Sequence, residues 1–203
     1  MPNLIPDVVP AGSMAAGPQP SLRAGPAFQL RPWHVDDVPA VVAAYSDPDI
    51  QRWHLQSKDK AEAYHWIHQW KSLWQREIRA DWAISEVTSG VVLGRIGLRE
   101  IHLDEGRAEV AYWVLPAARG RGVASTGLEA LAAWAFDEIG LHRLDLQHSV
   151  HNEASCRVAT KTGFELDGVL RSFFLHHDGW HDVHVHGRIR PGVNNCPTDG
   201  PAH

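Results

Sequence analysis

The segment that most constrains this chain runs from Arg119 to Ala124 and reads Arg-Gly-Arg-Gly-Val-Ala. A strand-like run from Glu109 to Leu115 precedes it, and a helix-like run follows it toward Asp137. Glycine lets a backbone approach a ligand closely and adopt positive φ. A helix N-terminus offers unpaired N–H groups and the positive end of a dipole. The segment therefore predicts a strand–loop–helix unit that binds phosphate.

The length and charge of the chain limit the classes of function that it can have. Its 203 residues suit one domain with tails, and its formal net charge of −5 argues against bulk nucleic-acid binding. No apolar run approaches membrane-spanning length, and no secretory signal is recognisable. Cys156 and Cys196 form no disulfide or metal pattern, which favours free thiols in a reducing compartment. We therefore expect a cytoplasmic protein that binds neither nucleic acid nor membrane.

The two ends of the chain differ in composition from its middle. Residues 1–26 are rich in Pro, Ala and Gly and show no periodicity, so they are predicted to form a disordered leader. Residues 191–203 have the same character and are predicted to be a flexible tail. The folded domain is therefore expected to span residues 27–190.

The clearest helix signal of the first half covers residues 59–79. Asp59 and Glu62 have the spacing of a capping box. The apolar side chains of this helix share one face: Ala63, Trp66, Ile67, Trp70, Leu73 and Trp74. This face is interpreted first as a core-facing stripe, and the alternative is that part of it lines a substrate cleft.

The remaining elements predict a mixed sheet. Three strands joined by short turns between residues 81 and 115 indicate an antiparallel meander, with Gly94 and Gly97 as bulge or bend points. Helix, strand, helix and two strands follow up to Ile189. The predicted fold is α+β, of the α/β three-layer type, with a mostly antiparallel sheet and helices on both faces.

Two motifs together resemble a known family. The run from Glu109 to Ala124 resembles the acetyl-CoA motif of the GNAT N-acetyltransferases, whose core Gln/Arg-x-x-Gly-x-Gly/Ala is filled by Arg119, Gly122 and Ala124. Asn152-Glu-Ala-Ser155, followed by Gly163-Phe164, resembles the Asn-x-x-Ser…Gly-Phe signature of the ribosomal-protein N-terminal acetyltransferase branch. A glycine loop alone is weak evidence, but both motifs occur in order and at the family spacing.

The resemblance implies an acetyl-CoA site between two splayed strands. The pantetheine arm would lie between the strand that ends at Leu115 and the strand 142–150, and the pyrophosphate would contact the glycine loop and the helix start. Either arginine of the loop could add charge toward a phosphate. The expected cofactor-binding residues are Val114, Leu115, Arg119, Gly120, Arg121, Gly122, Val123, Ala124, Asn152 and Ser155.

The chemistry implied is direct transfer of acetyl from the thioester to a primary amine. Glu109 is the candidate base, and the alternative is a surface carboxylate paired with Arg107 or Arg99. Ser155 is the candidate proton donor to the CoA thiolate, and the alternative is a helix-start residue bonded to the backbone. Many family members carry a Tyr at the position of Ala159, which is a departure in this chain.

The acceptor amine is expected to be a protein N-terminus or a small amine. The candidate acceptor-binding residues are aromatic: Trp33, Trp66, Trp70 and Phe174. Such a lining suits an apolar or aromatic amine, or a peptide end with a bulky side chain, better than a polyamine. A homodimer is also possible by family resemblance.

The sequence is open to three rival interpretations. A non-catalytic acyl-CoA-binding module is the alternative function, supported by the missing Tyr at position 159. A dinucleotide-binding domain fails because the glycine loop follows an antiparallel meander rather than opening a βαβ unit. Five histidines near the end, His176, His177, His181, His184 and His186, do not complete a metal-ligand pattern, so no metal is expected, although one of them could relay protons.

Overall fold

The computed structural model describes residues 5–192, in which eight strands form one mixed sheet. The strand order is β1-β2-β3-β4-β5-β6-β8-β7, and every adjacent pair is antiparallel except β5 and β6. The bounds are β1 Leu22–Ala24, β2 Phe28–Pro32, β3 Ala80–Glu86, β4 Val92–His102, β5 Arg107–Val114, β6 Arg143–Ser149, β7 Glu165–His176 and β8 Gly179–Ile189. The predicted α+β fold with a mostly antiparallel sheet is confirmed.

Five α-helices cover the two faces of this sheet. They are α1 Val38–Ser46, α2 Pro48–His54, α3 Lys60–Gln75, α4 Val123–Ala133 and α5 Glu153–Lys161. Short 3₁₀ turns precede α1 and α4, and a π-helical turn at Trp134–Ile139 extends α4. None of the helices in the described part of the chain is long and apolar enough to cross a membrane.

Each face of the sheet carries its own hydrophobic core. The α4/α5 face buries Leu128 and Leu131 of α4 against Leu144 and Leu146 of β6. The opposite face buries Trp66 and Trp70 of α3 and Trp113 of β5 against α1. Alternate residues of one strand therefore point to different helix layers, and β5 contributes side chains to both layers.

The capping box predicted for α3 is present. Asp59 accepts a hydrogen bond from the Glu62 backbone N–H, and the Glu62 carboxylate accepts one from the Asp59 N–H. The Asp47-Pro48 pair ends α1 as expected, but it also begins α2, which the sequence did not predict. Asp47 caps this new helix through the Ile50 N–H, and Pro48 takes the first helical position, where no N–H is needed.

The segment before residue 27 differs from the predicted disordered leader. β1 pairs with β2, and Val9 and Met14 are buried in the core. The indole N–H of Trp82 donates to the Pro20 carbonyl, and that of Trp74 donates to the Gly17 carbonyl. Residues 5–26 are thus held by buried apolar side chains, by pairing with β2 and by backbone carbonyls that satisfy buried indoles. The predicted tail lies outside the described residues from position 193 onward, as does Cys196.

Both glycines of β4 lie where a neighbouring strand approaches closely, since a Cβ on Gly94 would lie 2.5 Å from the Trp113 carbonyl oxygen of β5. Gly94 lies beside a register shift between β3 and β4, as expected for a bulge. A Cβ on Gly97 would lie 2.4 Å from the Ala80 carbonyl oxygen and 2.7 Å from the Asp81 carboxylate. Gly97 is therefore needed for the close approach of β3, and it leaves room for a buried acid.

Candidate active site

The parallel strands β5 and β6 separate toward their carboxyl ends. Their pairing runs from Arg107 opposite Arg143 to Val110 opposite Leu146 and stops there, although both strands continue. This is the predicted splay. The Leu115 N–H donates to the Leu93 carbonyl of β4 at 2.9 Å. By antiparallel alternation, the backbone groups of Tyr112 and Val114 point into the gap. The Val114 N–H therefore faces the gap, whereas the Leu115 N–H is used within the sheet.

The glycine loop leads directly into α4. Gly120 and Gly122 have φ values of 76° and 77°, which other residues adopt only with strain. No side-chain hydrogen bond caps the N-terminus of α4, which begins at Val123. The first turn of the helix, including Ala124, thus presents backbone N–H groups of the kind that bind phosphate.

The two arginines of the loop contact carboxylates. Arg119 forms ion pairs with Asp47 at 2.8 Å and with Asp49 at 2.7 Å, both at the start of α2. Arg121 pairs with Glu86 of β3 at 2.6 Å. Their side chains therefore hold the loop to its neighbours, a role that the sequence did not suggest. Phosphate contact by either arginine stays a prediction.

Asn152 and Ser155 lie at the start of α5. The Asn152 side-chain oxygen accepts a hydrogen bond from the Ser155 backbone N–H at 3.1 Å, so Asn152 is the helix cap. The Ser155 hydroxyl lies 2.9 Å from the Tyr112 hydroxyl of β5. Burial raises the pKa of Tyr112 to about 12, so this phenol stays protonated at neutral pH. Sequence reasoning did not identify Tyr112. Position 159 of α5 is Ala instead of the Tyr common in the family, and Tyr112 of β5 supplies a phenol next to α5 instead.

Glu109 lies on the other face of β5. Its carboxylate accepts a hydrogen bond from Arg99 of β4 at 2.5 Å, which is the pairing expected for the alternative role of a surface carboxylate. Burial nevertheless raises the pKa of Glu109, and the Arg99 charge opposes this only in part. Only 12% of its side chain is exposed. A carboxylate with a raised pKa beside the strand gap retains the properties of a base.

A group of charged residues lies on the same face of the sheet as Glu109. Asp81 of β3 pairs with Arg95 of β4 and lies 3.9 Å from Arg79. Arg99 is the guanidinium group that acts on Glu109, and the carboxylates of Asp145 and Glu100 oppose it. Cations and carboxylates are therefore mixed around Glu109.

His54, the last residue of α2, reaches the same region. Its ring makes a hydrogen bond with the Tyr112 backbone, and burial lowers its pKa to about 4, assisted by the charges of Arg95 and Arg99. The imidazole is therefore neutral at physiological pH. Only the contact between α2 and β5 reveals this residue, because nothing in its local sequence marks it.

A chain of polar groups ends at the C-terminus of β6. The Ser149 hydroxyl lies 2.7 Å from His181 Nδ1, and His181 Nε2 lies 2.8 Å from Asp178. The ring of His176 packs 4.4 Å from that of His181 and bonds to the Arg52 carbonyl of α2. The contacts single out His181 among the terminal histidines as the one with relay partners on both nitrogens.

The four aromatic residues expected to bind the acceptor do not form one pocket. Trp66 and Trp70 are only 9% and 4% exposed and belong to the core under α1 and α3. Trp33 is half-buried and packs edge-on against Trp66 at 5.2 Å. Phe174 is half-buried on β7 and contacts His176. Trp66 and Trp70 therefore lie in the core, as the first interpretation of the α3 apolar face predicts, and do not line a cleft.

Comparisons with known proteins identify the family of this chain. The family model for the acetyltransferase (GNAT) domain matches residues 28–165. Uncharacterized N-acetyltransferase YoaA of Bacillus subtilis is 27% identical over 157 residues, which cover 76% of this chain and 89% of YoaA. Ribosomal-protein-serine acetyltransferase of Escherichia coli is 31% identical over 98 residues, covering 48% of this chain and 55% of that protein.

Solved structures show the same fold. The ribosomal alpha-N-protein acetyltransferase RimL in complex with coenzyme A has a TM-score of 0.77 at 21% identity, covering 84% of this chain and 98% of that one. The self-immunity acetyltransferase MccE in complex with acetyl-CoA and AMP has a TM-score of 0.75 at 17% identity, covering 87% and 98%. The comparisons give no support to a non-catalytic binding module. The chain belongs to the GNAT acetyltransferase family and is an acetyl-CoA-dependent N-acetyltransferase.

Proposed function

We propose that this enzyme acetylates the terminal amine of a polypeptide at the gap between β5 and β6. The observation that carries the proposal is the placement of two proton-handling groups on opposite faces of β5 at this gap. Glu109 lies on the face of α1 and α3, and the Tyr112–Ser155 hydroxyl pair lies on the face of α5. Acetyl transfer needs both a proton acceptor and a proton donor.

The proposed reaction follows from these positions. The neutral amine attacks the thioester carbonyl carbon, and the Val114 N–H stabilises the negative charge that develops on the oxygen. Glu109 takes the proton that the amine nitrogen loses through intervening water, because it lies five residues before Val114 on β5, about 16 Å along the strand. The carbon–sulfur bond then breaks, and the CoA thiolate receives a proton from Ser155, with Tyr112 as its hydrogen-bond partner.

The cofactor is held at the other end of the gap. The pyrophosphate of acetyl-CoA contacts the backbone of the loop from Gly120 to Gly122 and the first turn of α4. Asn152 and the backbone of Val114 bind the pantetheine arm. The positive φ values of the two glycines and the uncapped helix N-terminus support this assignment.

The acceptor class is supported by similarity to a relative whose name states its substrate. The similarity to ribosomal-protein-serine acetyltransferase supports an amine at a protein N-terminus. Homodimerisation and cytoplasmic localisation stay predictions.

Acetyl-CoA turnover on a panel of peptides, small amines and polyamines tests this proposal. We expect turnover with peptides whose terminal amine is free and none with the same peptides blocked at that amine. Glu109→Gln should lower kcat by about 10²–10⁴-fold, and Tyr112→Phe or Ser155→Ala by about tenfold or more. Glu105→Gln is the matched control, because Glu105 is exposed and pairs with Arg107 away from the gap. Turnover confined to polyamines, or full activity of Glu109→Gln, would overturn the proposal.

A further inference from the structure

Three histidines and a cysteine meet between α5 and the sheet, outside the groups that the acetyl transfer uses. His148 of β6 lies opposite His184 of β8, and His186 follows two residues later on the same face of β8. Cys156 of α5 lies over them. One ligand atom from each of the four side chains falls within 4.8 Å of every other. The ring of His148 lies 5.1 Å from that of His186 and 5.3 Å from that of His184.

Each of the three imidazoles has a buried nitrogen with no hydrogen-bond partner. These atoms are Nε2 of His148, Nδ1 of His184 and Nε2 of His186. A buried polar atom without a partner costs about 1–3 kcal/mol, so three such atoms in one place require an explanation. An ion bound among them would satisfy all three.

The opposite nitrogens of two rings are already occupied. His148 Nδ1 lies 2.8 Å from the Ser149 carbonyl oxygen, and His186 Nδ1 lies 3.2 Å from the Phe164 carbonyl oxygen. Since a carbonyl can only accept, each Nδ1 carries the proton and each Nε2 carries a lone pair. Metal-binding histidines are held in this way by carbonyls behind them.

The geometry points to a binding site for a zinc-type divalent cation, formed by His148, Cys156, His184 and His186. A tetrahedron with Zn–N bonds of about 2.0–2.1 Å and a Zn–S bond of about 2.3 Å has edges of about 3.3–3.6 Å. The ligand atoms therefore move together by at most about 1.5 Å when the ion binds. Three imidazoles and a thiolate suit zinc among the common divalent ions. Binding releases the thiol proton of Cys156 to solvent.

Four protein ligands close the coordination shell, so this ion is a structural one. It fastens α5 to β6 and β8. Asn152 and Ser155 lie on the same helix, and Cys156 directly follows Ser155. The four ligands are therefore positioning residues for the start of α5. This proposal replaces the expectation that the chain binds no metal. That expectation considered spacing along the sequence, and spacing does not show that Cys156 of α5 lies near histidines of β6 and β8.

Metal titration of the tag-free, chelator-treated protein tests the site. We expect one Zn²⁺ per chain, with the thermal midpoint raised by about 5–10 °C at a free Zn²⁺ concentration about a hundred times Kd. Co²⁺ should give the visible absorption of a tetrahedral ion and a thiolate-to-cobalt charge-transfer band. Cys156→Ser should abolish that band and weaken Zn²⁺ binding at least about tenfold, and His184→Gln should weaken binding similarly.

His65→Gln is the matched control, because His65 is exposed on α3 and distant in sequence from the cluster. It should bind Zn²⁺ like the unaltered chain. Circular dichroism of the metal-free variants confirms that each is folded before its titration is interpreted. Absence of stoichiometric Zn²⁺ or Co²⁺ binding would overturn the proposal. Unchanged binding in both Cys156→Ser and His184→Gln would do the same.

Discussion

The buried pair of Asp81 and Arg95 offers a sharp test of the charged face beside Glu109. Asp81 is 1% exposed and Arg95 is 4% exposed, and the two side chains are hydrogen-bonded. Asp81→Asn keeps the shape of the side chain but leaves the Arg95 guanidinium buried without its counter-charge. Removing one partner of a buried ion pair costs about 3–5 kcal/mol.

The lower end of that range applies to this pair. The Arg95 guanidinium also lies 5.7 Å from the ring centre of Trp66 and 5.8 Å from that of Trp70, so some stabilisation of its charge remains. We expect Asp81→Asn to lower the free energy of unfolding by about 3 kcal/mol and the thermal midpoint by about 6–12 °C. Denaturant unfolding at neutral pH measures the first quantity, and calorimetry measures the second.

Two further variants test the reasoning. Asp36→Asn is the control, because the Asp36 side chain is 85% exposed and should change stability by no more than about 0.5 kcal/mol. Adding Arg95→Met to Asp81→Asn removes the orphaned charge and should restore at least about 1 kcal/mol. A cost below about 1 kcal/mol for Asp81→Asn, or a further loss on adding Arg95→Met, would refute the account.

Two further predictions concern the buried ring of His54 and the positive φ of Gly122. The pKa of His54 is lowered to about 4 in the folded chain, so the unfolded chain binds a proton at this ring more readily. The folded state therefore loses free energy of unfolding as pH falls from about 6.5 to 4. The unaltered chain should therefore lose about 3 kcal/mol more than His54→Gln between pH 7 and 4 by denaturant titration, and equal losses would contradict this. Gly122→Ala should cost about 1–2 kcal/mol and raise the KM for acetyl-CoA, because φ at Gly122 is 77°. Gly168→Ala, where nothing lies within 4 Å of an added Cβ, should have little effect, and equal costs for the two variants would contradict the loop assignment.

The parts of the fold that sequence reasoning captured depend on local signals. The capping box of Asp59 and Glu62, the glycine loop before α4 and the Asn152 cap of α5 each lie within a few residues of the element they control. Strand alternation then fixes which residues share a face of the sheet. The meander and the splayed strand pair followed from these signals and from the family resemblance.

The parts that sequence reasoning missed depend on contacts between distant segments. Tyr112 meets Ser155 across 43 positions of the chain, and β1 is ordered by packing against β2 and by indoles that lie far along the chain. The segment before residue 27 has no periodicity because its contacts combine scattered buried side chains, such as Val9 and Met14, with backbone carbonyls that bond to indoles. His54 reaches Tyr112 only because α2 packs near β5.

A structure of the enzyme with coenzyme A bound tests the central claim most directly. We expect the pantetheine arm to lie between β5 and β6 beyond Val110 and Leu146. We also expect the coenzyme A sulfur to lie within hydrogen-bond distance of the Ser155 hydroxyl and the pyrophosphate to contact the loop at Gly120 and Gly122. Coenzyme A bound away from this gap, or a sulfur distant from both Ser155 and Tyr112, would contradict it.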